Sequence, residues 1–436
     1  MTFGIHDLAF KAPALYLPIQ DLAEARGIEA DKLRFGLGLQ NMSVCDANED
    51  VVSLAAASVI QLLRQNPEIK PSEIGRIYVG TESSIDGAKP IATYVHHLVA
   101  EYFENNGVSA KELMHCDVVD MTFACIGAVD AMHNSLAWLK SEPDKVAIVV
   151  SADIANYDLG SSGEYTQGAG AIAVLLKENP DLLVIGDKWG VATKSEHDFF
   201  KPIRLKVEEE EIVSIHDEKP IFDGQFSNTT YQNRITEAWK HFSTDNHFSD
   251  YSNLVFHLPY AFHGRRIITS LLIDDLKTTN QLASFAQDLD SNSTDFIKLF
   301  SKTDYYKHWV KQHVAAGEKL SSEMGNLYTA SIFLCLMSSL MYGEISEGDK
   351  FLFFAYGSGS KAKVFEGQIS ADYAKKINQW NVEEQLKWRR QINFETYLQL
   401  RNNQVASPIS DINNITQTAS GITETNKFER TYSLNV

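Results

Sequence analysis

The chain has 436 residues, 44% hydrophobic and 22% charged, a make-up that excludes disorder over most of its length and allows two or three domains or two joined halves. Its formal net charge of −18 argues against nucleic acid and anionic membrane surfaces as partners, so an anionic ligand needs a local cluster of Lys or Arg. Cys45, Cys116, Cys125 and Cys335 are widely spaced with no CxxC pair, which speaks against a zinc site or a disulfide framework; with no basic and apolar signal in MTFGIHDLAF and no apolar run long enough to span a bilayer, a cytoplasmic protein is expected.

In chain order, short helices are expected at 21–25 and 30–33, then an amphipathic helix over 49–65 with Val51, Leu54, Val59 and Leu63 on one face. A buried strand at 76–80 ends just before Glu82, and a helix follows over 92–102. A β-like run then ends at Phe123 and Ala124, and Cys125 opens a helix marked by Ile126, Val129, Met132 and Leu136. A helix N-terminus favours a thiolate, and the small residues Ala124, Gly127 and Ala128 suggest room for an acyl group at the sulfur. KVAIVVS at 145–151 is an apolar run typical of a strand covered on both faces, and GAGAIAVLL at 168–176 closes the unit. Residues 187–222 are polar, and their run Glu208 to Glu211 reads as a solvated link.

The second half repeats this order. NLVFHL at 253–258 is a buried strand with His257 near its end; Gly325-Asn326-Leu327-Tyr328 opens a helix as Cys125 does; FLFFA at 351–355 and VFEGQ at 364–368 take the places of the last two strands. A polar helical segment follows from Ala371, and an Asn, Thr and Ser-rich tail frays from Asn402. The boundaries are therefore 1–186, 187–222, 223–370 and 371–436. Helices alternating with covered strands imply an α/β protein whose ligands gather at strand carboxyl ends and helix N-termini. Pseudo-twofold symmetry would bring Cys125, Glu82, His257 and Asn326 to one centre. Such a set suits acyl transfer through a thioester, with His257 and Asn326 donating to a carbonyl oxygen and Glu82 removing a proton from an acyl methyl group.

Seven blocks carry a resemblance: YVGTESSIDGAKP at 78–90, DVVDMTFACIGAVDA at 117–131, SADIANYDLGSSGEYTQGAGAIAVLL at 151–176, FDGQFSNTTY at 222–231, VFHLPYAFHGRR at 255–266, GNLYTASIF at 325–333 and AYGSGS at 355–360. In this order the chain resembles the 3-hydroxy-3-methylglutaryl-CoA (HMG-CoA) synthase family, its bacterial branch most closely. The resemblance implies a thiolase-like fold of two pseudo-twofold halves in a layered αβαβα arrangement, usually a homodimer. It implies that acetyl-CoA and acetoacetyl-CoA are condensed for the mevalonate route to isoprenoid precursors, with no metal and no cofactor beyond the CoA thioesters.

The resemblance puts the acetyl-carrying nucleophile on Cys125, the general base on Glu82 and the general acid on His257. Asn326, Ser358, Asp153, Tyr157, Asp223 and Gly224 fall on substrate-side positions. The chain departs from the family in two places. Ile126 follows the nucleophile where eukaryotic members carry an aromatic residue, and the lysine that often follows HLPY is absent, which leaves Arg265 or Arg266 for the CoA phosphates. His263 is a second histidine close to His257. Two other readings stay open: a homologue using acyl groups on an acyl carrier protein in polyketide β-branching, and a silent thiolase-like scaffold. A decarboxylating ketoacyl synthase shares Cys, His and Asn but does not need Glu82.

Overall fold

Asp50 begins the first long helix by accepting the Ser53 N–H at 2.9 Å, while Ser53 Oγ accepts the Asp50 N–H at 2.9 Å. The computed structural model describes residues 1–201, 219–243, 246–286, 289–291, 293–411, 415–419 and 430–434. The acidic run at 208–211 lies outside the described residues.

The first half runs β1 (Phe3–Lys11), α1 (Val51–Gln65), β2 (Ile74–Gly80), α2 (Ile91–Asn105), β3 (Asp117–Met121), α3 (Gly127–Leu139), β4 (Val146–Ile154) and β5 (Ala169–Glu178). The second runs β6 (Leu183–Thr193), α4 (Gly224–Phe242), β7 (Asn253–Phe256), α5 (His263–Thr278), α6 (Ser331–Tyr342), β8 (Lys350–Gly357) and β9 (Lys361–Ile369). Pairing repeats along with order. β1–β5 and β5–β4 are antiparallel and β4–β2 parallel in one half; β6–β9 and β9–β8 are antiparallel and β8–β7 parallel in the other. β3 adds a parallel edge strand beside β2. Where β1 meets β6, Gly4 faces Val184 and Ile5 faces Leu183, giving one mixed sheet in the order β7-β8-β9-β6-β1-β5-β4-β2-β3. This is the thiolase-like α/β arrangement.

β4 shows why its sequence is apolar throughout. Ile148 and Val150 enter the core beneath α1 and α2, while Ala147 and Val149 face the core that α3 and α6 share with the second half. Two expectations need correction. The polar stretch from Asp187 is not loop at its start, because β6 runs from Leu183 to Thr193 across the boundary drawn at 186/187; its exposed alternating residues had hidden a strand. The tail does not simply fray from Asn402 either: Ile415–Ala419 pairs with Thr431–Leu434, Ile415 and Leu434 join the core beneath α1, and Tyr432 donates its hydroxyl to Asp50 at 2.6 Å. Among the described residues, no helix is long and apolar enough to cross a membrane.

Candidate active site

The carboxyl ends of the parallel strands converge on one place. Glu82 lies two residues beyond β2, Cys125 four beyond β3, and His257 directly follows β7. Gly80 and Gly127 let these ends close up: a Cβ on Gly80 would stand 2.2 Å from the Ala128 nitrogen, and one on Gly127 would stand 2.5 Å from the Met121 carbonyl oxygen. Gly127 thus serves packing between strand end and helix rather than room for an acyl group, and neither it nor Ala124 lines the cavity. Cys125 does not open α3. It sits just before the capping residue Ile126, after Ala124 at φ 40°, a left-handed conformation uncommon for alanine.

Cys125 Sγ donates to Glu82 Oε1 at 2.9 Å. Burial and the negative charge of Glu82 push the thiol pKa well up, and burial also raises that of Glu82 against the pull of Lys201. Both shifts favour the protonated forms, so the sulfur at rest is a thiol aimed at the Glu82 carboxyl group. The expectation of a thiolate fails because desolvation and an adjacent anion outweigh the nearby helix terminus.

Asp153, wholly buried, stands behind this pair. Its carboxylate accepts the Glu82 N–H at 2.8 Å, the Thr81 hydroxyl at 3.0 Å and the Ser83 hydroxyl at 2.8 Å. Across the pseudo-twofold it accepts the Thr329 N–H at 3.0 Å and the Thr329 hydroxyl. It holds the two halves in register and does not reach the cavity.

The second half contributes neutral groups. His257 Nδ1 lies 2.8 Å from Ser331 Oγ, the ring also meets the Tyr328 main chain, and burial lowers its pKa to about 3. Asn326 Oδ1 accepts the Tyr328 N–H at 2.9 Å, so the amide's NH₂ is left as its donor group. The Asn326 N–H is fixed on the Thr166 carbonyl at 2.8 Å.

Cys125, His257 and Asn326 line a cavity of about 250 Å³, as do the expected Tyr157, Gly224, Ser358 and Arg266. Asp223 and Arg265 do not. Asp223 caps α4, accepting the Gln225 and Phe226 N–H groups at 2.9 and 2.8 Å. Arg265 forms a two-pronged ion pair with buried Glu318, so its charge is already engaged. Arg266 stands at the mouth, donating to the Gly36 carbonyl at 2.7 Å and the Tyr260 hydroxyl at 3.1 Å. Of the two arginines it is the one on the cavity wall.

His263 also lines the cavity, with neither ring nitrogen hydrogen-bonded. Sequence reasoning missed the aromatic wall of Phe199, Phe222, Tyr231, Tyr328 and Tyr356, and also Lys201 beside Glu82. The aromatic-aromatic-Lys pattern in HDFFKP at 197–202, set within a polar stretch, was the signal available.

The loop carrying Tyr157 is held from the far end of the chain by α7 (Phe394–Arg401). Arg401 donates to the Tyr157 carbonyl and to Gln167 Oε1, both at 2.8 Å, and Gln167 donates to the Tyr397 hydroxyl at 2.6 Å. Tyr397 in turn donates at 3.1 Å to Glu164, which Arg26 grips through two nitrogens.

Family models for "Hydroxymethylglutaryl-coenzyme A synthase N terminal" and "C terminal" match residues 1–181 and 190–435. The hydroxymethylglutaryl-CoA synthase of Enterococcus faecalis is 30% identical over 376 residues, 86% of this chain and 84% of that one. The solved structure of MvaS in complex with 3-hydroxy-3-methylglutaryl coenzyme A matches with a TM-score of 0.83 at 28% identity, covering 100% of this chain and 99% of the other. The HMG synthase of the curacin biosynthetic pathway, in complex with its apo donor-ACP, has a TM-score of 0.77 at 19% identity over 100% of both chains, a likeness of fold alone.

Proposed function

The chain belongs to the hydroxymethylglutaryl-CoA synthase family of acyl-transferring condensing enzymes, and on that premise we propose that it joins acetyl-CoA, acetoacetyl-CoA and water into HMG-CoA and CoA. The observation that carries the reading is the 2.9 Å contact between the Cys125 thiol and the Glu82 carboxylate. Glu82 takes the thiol proton as sulfur attacks the acetyl carbonyl; the C–S bond to CoA breaks, and CoA leaves as a thiol with that proton. Glu82, again ionised, removes a proton from the methyl group of acetyl-Cys125. The resulting enolate attacks C3 of acetoacetyl-CoA. Neutral His257 and the Asn326 amide donate to the oxygen on which charge develops; as the new alkoxide takes the His257 proton, the proton that Glu82 removed from carbon replaces it, so His257 stays neutral and Glu82 is ionised again. Water then cleaves the thioester to Cys125 and releases HMG-CoA.

No cofactor beyond the CoA thioesters enters this scheme. Tyr157, Ser358 and Gly224 shape the acyl pocket, and Arg266 is the basic residue we assign to the CoA phosphates. We take the protein to act in the cytoplasm, in the mevalonate route, as a homodimer. The free cysteines fit the first assignment, and the edge position of β3 in the sheet fits the last.

The test is to mix the protein with acetyl-CoA and acetoacetyl-CoA and follow both products by mass spectrometry. HMG-CoA together with acetyl on Cys125 is expected. Acetyl-Cys125 that yields product only from acetoacetyl on an acyl carrier protein would transfer the assignment to that substrate class, and a protein that never acquires acetyl would overturn it.

A further inference from the structure

Glu82 is bracketed on both sides. One carboxylate oxygen accepts the Cys125 thiol, and the other lies 3.6 Å from the ammonium of Lys201. The same ammonium donates to the Glu82 main-chain carbonyl at 3.1 Å and sits 4.6 Å from the centre of the Tyr328 ring. Lys201 directly follows the short strand Phe199–Phe200, which pairs with Ile221–Phe222 just before α4. It therefore reaches from outside the first half to the base that the first half supplies. Among the described residues, this is the one ion pair that Glu82 makes.

The charge balance explains why a cation is needed there. Glu82 faces the buried carboxylate of Asp153, which holds its N–H, and beyond the Cys125 thiol the hydroxyls of Tyr157 and Tyr328 belong to the same enclosure. Two carboxylates in so dry a place raise each other's cost of ionisation. The Glu82 side chain is 6% exposed and that of Lys201 20%, so water screens the pair weakly.

We propose that Lys201 is a positioning residue for the reaction: it holds Glu82 ionised and aimed at the Cys125 sulfur, so that Glu82 can accept a proton from the thiol and later from the acetyl methyl group. This deepens the assigned condensation, but it is a statement about the Glu82–Cys125 pair that does not require a substrate to be tested.

The experiment measures alkylation of Cys125 by iodoacetamide in the full chain, with peptide mass spectrometry, from pH 5 to pH 9. Wild type, Lys201→Met and Lys201→Arg are compared. In Lys201→Met the rising limb of the rate should move to higher pH by about one unit, a roughly tenfold loss of rate at the acidic end that narrows at the alkaline end. Lys201→Arg, which keeps the charge, should hold the wild-type limb. If Lys201→Met does not fold, Lys201→Gln carries the same measurement. An unmoved limb in the neutral variants, or an equal loss at every pH shared by Lys201→Arg, would reduce Lys201 to a structural prop and overturn the proposal. The result is independent of which acyl donor the protein uses, so a protein that failed to make HMG-CoA would not by itself change it.

Discussion

The two halves present equivalent strand ends and helix starts to one cavity, yet they equip them with opposite chemistry. Beyond β2 and ahead of α3 stand Glu82 and Cys125, a proton acceptor and a proton donor 2.9 Å apart. Beyond β7 and ahead of α6 stand His257 and Asn326, neutral groups fixed by hydrogen bonds to Ser331 and to the Tyr328 N–H. On the proposed mechanism, the difference between the two similar mouths is division of labour: one half handles covalent bonds and protons on carbon, the other receives charge on oxygen. Asp153 belongs to the first half but bonds to Thr329 in the second, so the boundary between the two roles is itself a hydrogen-bonded seam.

Breaking the first half should have the largest effect. Cys125→Ala is expected to abolish labelling by radioactive acetyl-CoA and all condensation. Glu82→Gln should lower condensation by about 10²- to 10⁴-fold, the usual weight of a general base; full condensation in Glu82→Gln would remove its assigned role and leave the two halves without a chemical distinction. Next comes the seam. Asp153→Asn sets a donor NH₂ against N–H and hydroxyl donors in place of an accepting oxygen, and on the order of 3 kcal/mol of stability should be lost, read as a lower midpoint in urea unfolding.

The smallest effect concerns the second half. His257 and His263, both buried, have pKa values lowered to about 3 from 6.5. The unfolded chain therefore binds more protons between those values, so their contribution to stability is full above pH 6.5 and declines as pH falls toward 3. The slope is up to about 1.4 kcal/mol per pH unit for each. His263→Phe should flatten the decline in urea titrations at pH 6.5, 5.5 and 4.5, and an unchanged slope would mean that this ring does not resist protonation.

What could be read from the letters was what depends on local period and order. Covered strands such as β4 and the strand-to-helix turns at Cys125 and Asn326 are short-range patterns, though the helices themselves begin at Gly127 and Ser331, and the repetition predicted that Glu82 and His257 would meet these turns. Charge state was not legible, because the Cys125 thiol is governed by Glu82, which is remote in sequence. For the same reason Arg265 looked free until Glu318 was found against it, and Asp223 looked like a ligand when it caps a helix. Lys201 was hidden by its surroundings: it lies in a polar stretch that reads as linker, and only folding carries it to Glu82.

The grip of α7 on the Tyr157 loop gives the chain an order of assembly. The loop belongs to the first half, but Arg401 and Tyr397 leave the ribosome long after it, so this wall of the cavity stays unfinished until α7 has been made. A chain ending before Phe394 should leave that loop open to proteases while the strands around it are protected, and limited digestion would read the difference. Docking of α7 thus acts as a late step in building the pocket, because a wall of the first half waits for a helix made long after it.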